Sequence, residues 1–192
     1  MGKSAVPVLS RERVVESVAG GIGSGRENGD FPIVILAQGP TLTGGRYYPL
    51  DTLREAVASR VFEGATMFVN HADGVAVSRR GHRDMGERVG VVREGSVALD
   101  GAGRIVAMAH VFGSSALEWL NDDVARPLTG VSWCGEADLR ARKIDGVALG
   151  VVQEISRVES VDFVPRANAG GRVSEGYREG GLEMDREELQ AV

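Results

Sequence analysis

The sequence predicts an α+β fold dominated by a mainly antiparallel β-barrel or sandwich, with two or three helices. Three observations predict it. Glycine is abundant, 27 in 192 residues, while aromatic residues make up only 5%, a balance that favours many turns over a helix bundle. Short runs rich in Val and Ile recur along the chain, separated by Gly, Asp and Pro turn signals. Helical spacing is confined to a few short stretches. A hydrophobic content of 43% supplies a sizeable core and excludes a wholly disordered chain. The length fits one domain with a tail at each end.

Residues 1–30 read as a flexible N-terminal segment. Within it, Ser10 to Val18 has the pattern of a short helix, with Ser10 as N-cap and Arg13 in the first turn. Residues 20–29 hold five glycines with Ser24 and Asn28, a connector. The packed domain is expected over 31–173. Its first strand is the continuous apolar run 31–37. Residues 51–61 follow as an amphipathic helix, with Asp51 as N-cap, Leu53, Val57 and Val61 at helical spacing, and Gly64 as the stop. A strand over 65–70 delivers His71. Residues 72–86 are polar and read as a long surface loop. Strands are expected at 87–93, 96–99 and 104–112, with Asp100, Gly101 and Gly103 turning the last two. Ser115 and Glu118 have capping-box spacing for a helix over 116–122. Strands over 129–137, 147–158 and 160–164 complete the series, with Asp145-Gly146 as a turn. Residues 165–181 read as loop, and Asp185 as the cap of a final helix over 186–191.

Three polar residues stand out because each sits in an apolar, strand-like setting. His71 ends Met67-Phe68-Val69-Asn70-His71, Ser132 lies between Val131 and Trp133, and Asp162 lies between Val161 and Phe163. These are the residue types of a nucleophile, a general base and an orienting acid. A serine hydroxyl needs a base, histidine titrates near neutrality, and a carboxylate fixes the imidazole tautomer. A buried carboxylate also needs a partner, and His71, Arg157, Arg166 or a backbone amide would each serve. Residues 166–171, just past Asp162, could offer the backbone N–H groups of an oxyanion hole. Each residue also has an ordinary structural reading: a strand serine, a histidine bonded to a turn, a paired aspartate.

Other chemistries are weaker. His71-Ala72-Asp73 and His82-Arg83-Asp84 repeat a His-x-Asp pattern that suits zinc or a similar ion, so a metal-dependent hydrolase using the His71/His82 loop is an alternative. Arg79, Arg80 and Arg83 in the same stretch oppose a bound cation, and no metal site is assigned. His110 reads as a structural histidine. Cys134, the only cysteine, excludes an internal disulfide and reads as a small buried hydrophobe. A net charge of −5 gives no basic field for nucleic acid or an anionic membrane. No apolar run reaches the roughly 18 residues of a membrane span. The N-terminus lacks a signal-peptide core, so a cytoplasmic origin is expected.

In order, Gly44-Gly45-Arg46-Tyr47-Tyr48-Pro49, Phe68-Val69-Asn70-His71, Glu87 to Val92, Thr129-Gly130-Val131-Ser132, and Ser160 to Val164 followed by Ala167 to Gly171 form a set. This set, spanning about Phe31 to Val173, resembles the tailed-phage prohead proteases, which share a fold with the herpesvirus assemblins. The resemblance implies an assemblin-like fold and a serine endopeptidase of procapsid maturation, with a protease domain over 31–173. It implies Ser132 as nucleophile and His71 as general base. Some relatives carry Glu where this chain has Ser160, and herpesvirus relatives use a second histidine. Here Asp162 is the natural third member, with Glu159 as the alternative; 160 and 162 share one strand face and 159 lies on the other. The oxyanion donors fall to the N–H of Arg166 or Ala167, because Pro165 cannot donate. The family implies scaffold and major capsid protein as substrates, self-cleavage, self-association, and no cofactor, nucleic acid or membrane. It places the work in the host cytoplasm, inside the assembling procapsid. A non-catalytic assembly domain on the same fold is the main alternative. Residues 174–192 read as an acidic linker and the start of a scaffold-like helix, and the linker is an expected self-cleavage site, with the 20–29 connector as a second.

Overall fold

The computed structural model describes residues 12–18, 29–71 and 83–174. In chain order these form β1 (Glu12–Val18), β2 (Asp30–Ala37), β3 (Gly39–Pro40), β4 (Arg46–Tyr48), α1 (Leu50–Ala58), β5 (Thr66–Val69), β6 (Arg88–Val92), β7 (Ala98–Leu99), β8 (Arg104–Val111), α2 (Ser114–Asn121), β9 (Gly130–Ile144), β10 (Val147–Val164) and β11 (Arg172–Val173). The expected termini of the chain, the 20–29 connector, and the helix over 186–191 lie outside the described residues, apart from β1, Gly29 and Ser174.

The pairings close into a ring. From β9 the order runs through β11, β2, β8, β6, β5 and β10, and β10 pairs β9 again. This is a seven-strand barrel, and the fold is α+β as the sequence predicts. Every pair of the ring is antiparallel except β5 with β10, which is parallel. Outside the ring, β1 lies along β9, β7 along β8, and β3 and β4 form a small hairpin whose second strand runs parallel to the start of β10.

The sequence explains these strands locally. In β8 every second residue is buried: Ile105, Ala107, Ala109 and Val111, the period of a strand with one face on the core. β2 is almost continuously buried, from Ile33 to Leu36. Asp145 and Gly146 both have positive φ, 49° and 83°, as a two-residue Asp-Gly hairpin turn requires. The core gathers around Trp133, which meets Phe62 edge-on at 6.0 Å, while Trp119 of α2 packs against the core and meets Phe163 edge-on at 5.5 Å. Burying each such aromatic side chain contributes about 1.5–3 kcal/mol before the entropy of ordering it.

Four local expectations are corrected. Residues Glu12–Val18 form a strand and not a helix, and pair with β9 in continuous antiparallel register. The edge of β9 recruits them, and Val14, Val15 and Val18 suit a strand. α1 begins at Leu50 behind Pro49, so Asp51 is no N-cap; it sits in the first turn and pairs with Arg54 at 2.8 Å. α2 begins at Ser114 behind Gly113, and no side chain caps it, so the Ser115–Glu118 box is not formed. The two strands expected over 147–158 and 160–164 are one, β10, which absorbs the interruption through register shifts against β9.

Candidate active site

Asp162 stands at the centre of the site. It lies on β10 with Ser132 of β9 directly opposite on one side and Phe68 of β5 on the other. Side chains alternate across a strand. Val131, Trp133, Val161 and Phe163 enter the core, so Ser132 and Asp162 share the opposite face of the sheet. Residues directly opposite on paired strands have Cβ atoms about 5 Å apart. Both are buried, Ser132 to 1% and Asp162 to 0% exposure.

His71 reaches this face through a turn. β5 ends at Val69, and Asn70 adopts a left-handed φ of 61°, which Asn tolerates better than most residues. Its N–H donates to Phe163 O at 2.7 Å. The turn sets His71 Nδ1 3.0 Å from Asp162 Oδ2. His71 Nε2 and Ser132 Oγ are both buried and have no hydrogen-bond partner among the described residues. They are therefore not bonded to each other in this state. The structure joins His71 to Asp162, sets Ser132 across the ladder from Asp162, and leaves the Ser132–His71 bond unmade.

Asp162 has a second partner. Arg83 Nη1 lies 3.1 Å from each carboxylate oxygen. The same guanidinium donates to Asn70 O at 2.8 Å, reaches Ser160 Oγ at 3.4 Å, and stacks over Phe68 at 3.8 Å from the ring centre. Sequence reasoning missed this residue, counting it only as a charge opposed to a metal. The buried Asp162 itself called for a cation, but nothing in the spacing singled out Arg83. Arg157, one of the expected partners, lies instead beside Glu136 at 3.7 Å, and Arg166 is exposed.

No family model matches the sequence, and no curated protein matches it. Among solved structures the chain is similar to the capsid assembly protease gp21 of bacteriophage T4, with 17% identity and a TM-score of 0.52, over 80% of this chain and 98% of that one. The chain has the fold of a phage capsid assembly protease.

Within this capsid-assembly-protease fold, Asp162 and not Glu159 is the carboxylate bonded to His71. Glu159 is exposed and sits at the register shift between Val158 and Ser160. Its Oε2 lies 3.9 Å from Cys134 Sγ. The register shift places two residues of β10 against one of β9 at this point. Cys134 is buried, as expected. The loop after β10 is fastened beside the Ser132 strand. Asn168 Oδ1 accepts from Thr43 N and its O from Leu42 N, both at 2.9 Å, and Ala169 O accepts from Ala37 N at 2.8 Å. At Gly171 any Cβ would lie 2.1 Å from Val131 O, so only glycine fits against the residue preceding Ser132. In this loop Arg166 is exposed and Ala167 buried. A shallow apolar cavity of about 160 Å³ opens beside Asn70, between Val69, Trp119, Leu128 and Pro165.

Of the His-x-Asp pairs, Asp73 and His82 lie outside the described residues. Asp84 accepts from Gly86 N at 2.9 Å and caps a 3-10 turn over Met85–Glu87. Among the described residues no group of three His, Cys, Asp or Glu side chains is placed to hold a metal ion, and no helix is long and apolar enough to cross a membrane. A second His–Asp–Arg trio joins β2, β8 and the residue just after β6. His110 Nδ1 is 2.8 Å from Asp30 Oδ1, and Arg93 Nη2 is 2.7 Å from Asp30 Oδ2.

Proposed function

We propose that this chain is a serine endopeptidase of phage procapsid maturation, cleaving scaffold and capsid-protein segments and itself inside the assembling shell in the host cytoplasm. The observation that carries the reading is the buried Asp162, bonded to His71 Nδ1 and facing Ser132 across the β9–β10 ladder. Fold similarity to the T4 capsid assembly protease supports it.

In this mechanism Asp162 accepts the Nδ1–H of His71, which leaves Nε2 as the base. Ser132 Oγ attacks the scissile carbonyl and gives its proton to His71 Nε2. Asp162 stabilises the imidazolium that forms. The carbonyl oxygen, now negative, is received by backbone N–H groups of Arg166 or Ala167; one such donor is worth about 10²–10³-fold in rate. His71 then returns the proton to the leaving amine, and water releases the acyl group by the same steps in reverse. Hydrogen bonds of this kind tighten when substrate binds, so the unmade Ser132–His71 bond suits a resting enzyme.

A fluorophosphonate, which reacts with activated serines, tests the reading. It should label wild-type chain at Ser132, label the Ser132→Ala variant nowhere, and act equally with a chelator present. Intact-mass spectra should show trimmed termini in active enzyme and whole termini in Ser132→Ala. The unmade Ser132–His71 bond is also the feature that favours the second reading, a non-catalytic assembly domain on this fold. That reading predicts no labelling and identical termini in both proteins.

A further inference from the structure

We infer that Arg83 is the positioning residue of this site, a clamp that sets His71 and Asp162 relative to each other; the inference rests on the triad reading above. One guanidinium holds both halves of the pair. Nη1 spans the two oxygens of Asp162, and Nη2 binds the carbonyl of Asn70, the peptide that carries His71. Asn70 is the left-handed residue on which the direction of His71 depends. Phe68, the β5 neighbour of Asp162 in the ladder, supplies the surface on which the guanidinium lies, so the plane of the cation is fixed as well as its position. The Arg83 side chain is 13% exposed and that of Asp162 0%.

The charges point the same way. A neutral imidazole offers Asp162 a hydrogen bond but no countercharge. Arg83 supplies the countercharge before any proton moves, and the fork geometry of guanidinium lets it do so while holding Asn70. A lysine is a single point charge and cannot bridge both partners.

The test is the rate at which a fluorophosphonate labels Ser132 in wild type, Arg83→Ala, Arg83→Lys and Arg83→Gln, each checked for folding by circular dichroism. Displacing the base by about an ångström costs on the order of 10²-fold. Arg83→Ala should lose about that in the bond-forming rate constant, with reversible binding of the probe unchanged. Arg83→Lys should recover part of the loss, and millimolar guanidinium should partly rescue Arg83→Ala. The downfield proton resonance of His71 Nδ1–H should be sharp in wild type and shifted or broadened in Arg83→Ala. Folded variants that label at the wild-type rate overturn the clamp, as does a loss confined to probe binding. Failure of all three variants to fold makes Arg83 a purely structural residue and also overturns it. Absence of labelling in wild type removes the triad reading itself, and this role with it.

Discussion

Among the described residues the barrel carries two His–Asp–Arg trios made of the same three residue types. In the trio around Asp162 the side-chain exposures are 23% for His71, 0% for Asp162 and 13% for Arg83. In the trio around Asp30 they are 39% for His110, 23% for Asp30 and 49% for Arg93. The first faces a buried serine across the ladder; in the second, Asp30 and His110 face each other across β2 and β8. In the buried trio solvent and salt screen the charges little, so each atom's position matters. In the exposed trio water competes for every bond, and such pairs contribute about 0–1 kcal/mol. Residue types alone therefore do not mark a site; depth and the neighbouring hydroxyl do.

The contrast is sharpest at the nucleophile. Ser132→Ala should lower kcat for a cleavable peptide by roughly 10⁶-fold with the fold intact, and full activity in a folded variant would falsify the assignment. Asp162→Asn comes next. It should lower kcat by about 10⁴-fold, because the amide favours the wrong imidazole tautomer. It should also destabilise the fold by about 3–5 kcal/mol, because Arg83 is left without its carboxylate; urea unfolding measures this. The matching change in the other trio, Asp30→Asn, should cost no more than about 1 kcal/mol and leave peptide cleavage at the wild-type rate. His110→Ala should do the same. Raising the salt concentration should weaken what remains of the Asp30 pair and leave the Asp162 pair largely untouched, which double-mutant cycles at low and high salt would read. Equal costs in the two trios would end the argument from depth.

Much of this was legible in the sequence, for identifiable reasons. Ser132 and Asp162 announce themselves because each stands between apolar neighbours in a short run that reads as a strand buried on both faces, where a polar side chain has no solvent to face. The turn glycines and Asp145-Gly146 marked the strand ends. What stayed hidden depends on contacts far apart in the chain. Arg83 lies 79 residues from Asp162, in a stretch with no periodicity. The strand character of Glu12–Val18 depends on an edge of β9 more than a hundred residues away. The register shift at Glu159 depends on how β10 meets β9 and has no mark in the local pattern. In each case local pattern states a preference and a distant partner decides.

The closing pair of the barrel, β10 on β9 with β5 on its other side, has a consequence for timing. The three groups of the proposed triad arrive on two strands and on the turn after a third, and Asp162 comes near the end of the ring's last long strand. During synthesis His71 and Ser132 emerge first, with no carboxylate to orient the imidazole. The β9–β10 hairpin is local, but the pairing of β10 with β5, which brings Asp162 to the His71 turn, joins residues far apart in sequence, and such pairings form late and slowly. If the proposed triad is right, a half-folded chain lacks its oriented base, and hydrolytic competence begins only when the ring is shut. On the proposed mechanism, the fold itself acts as a delay.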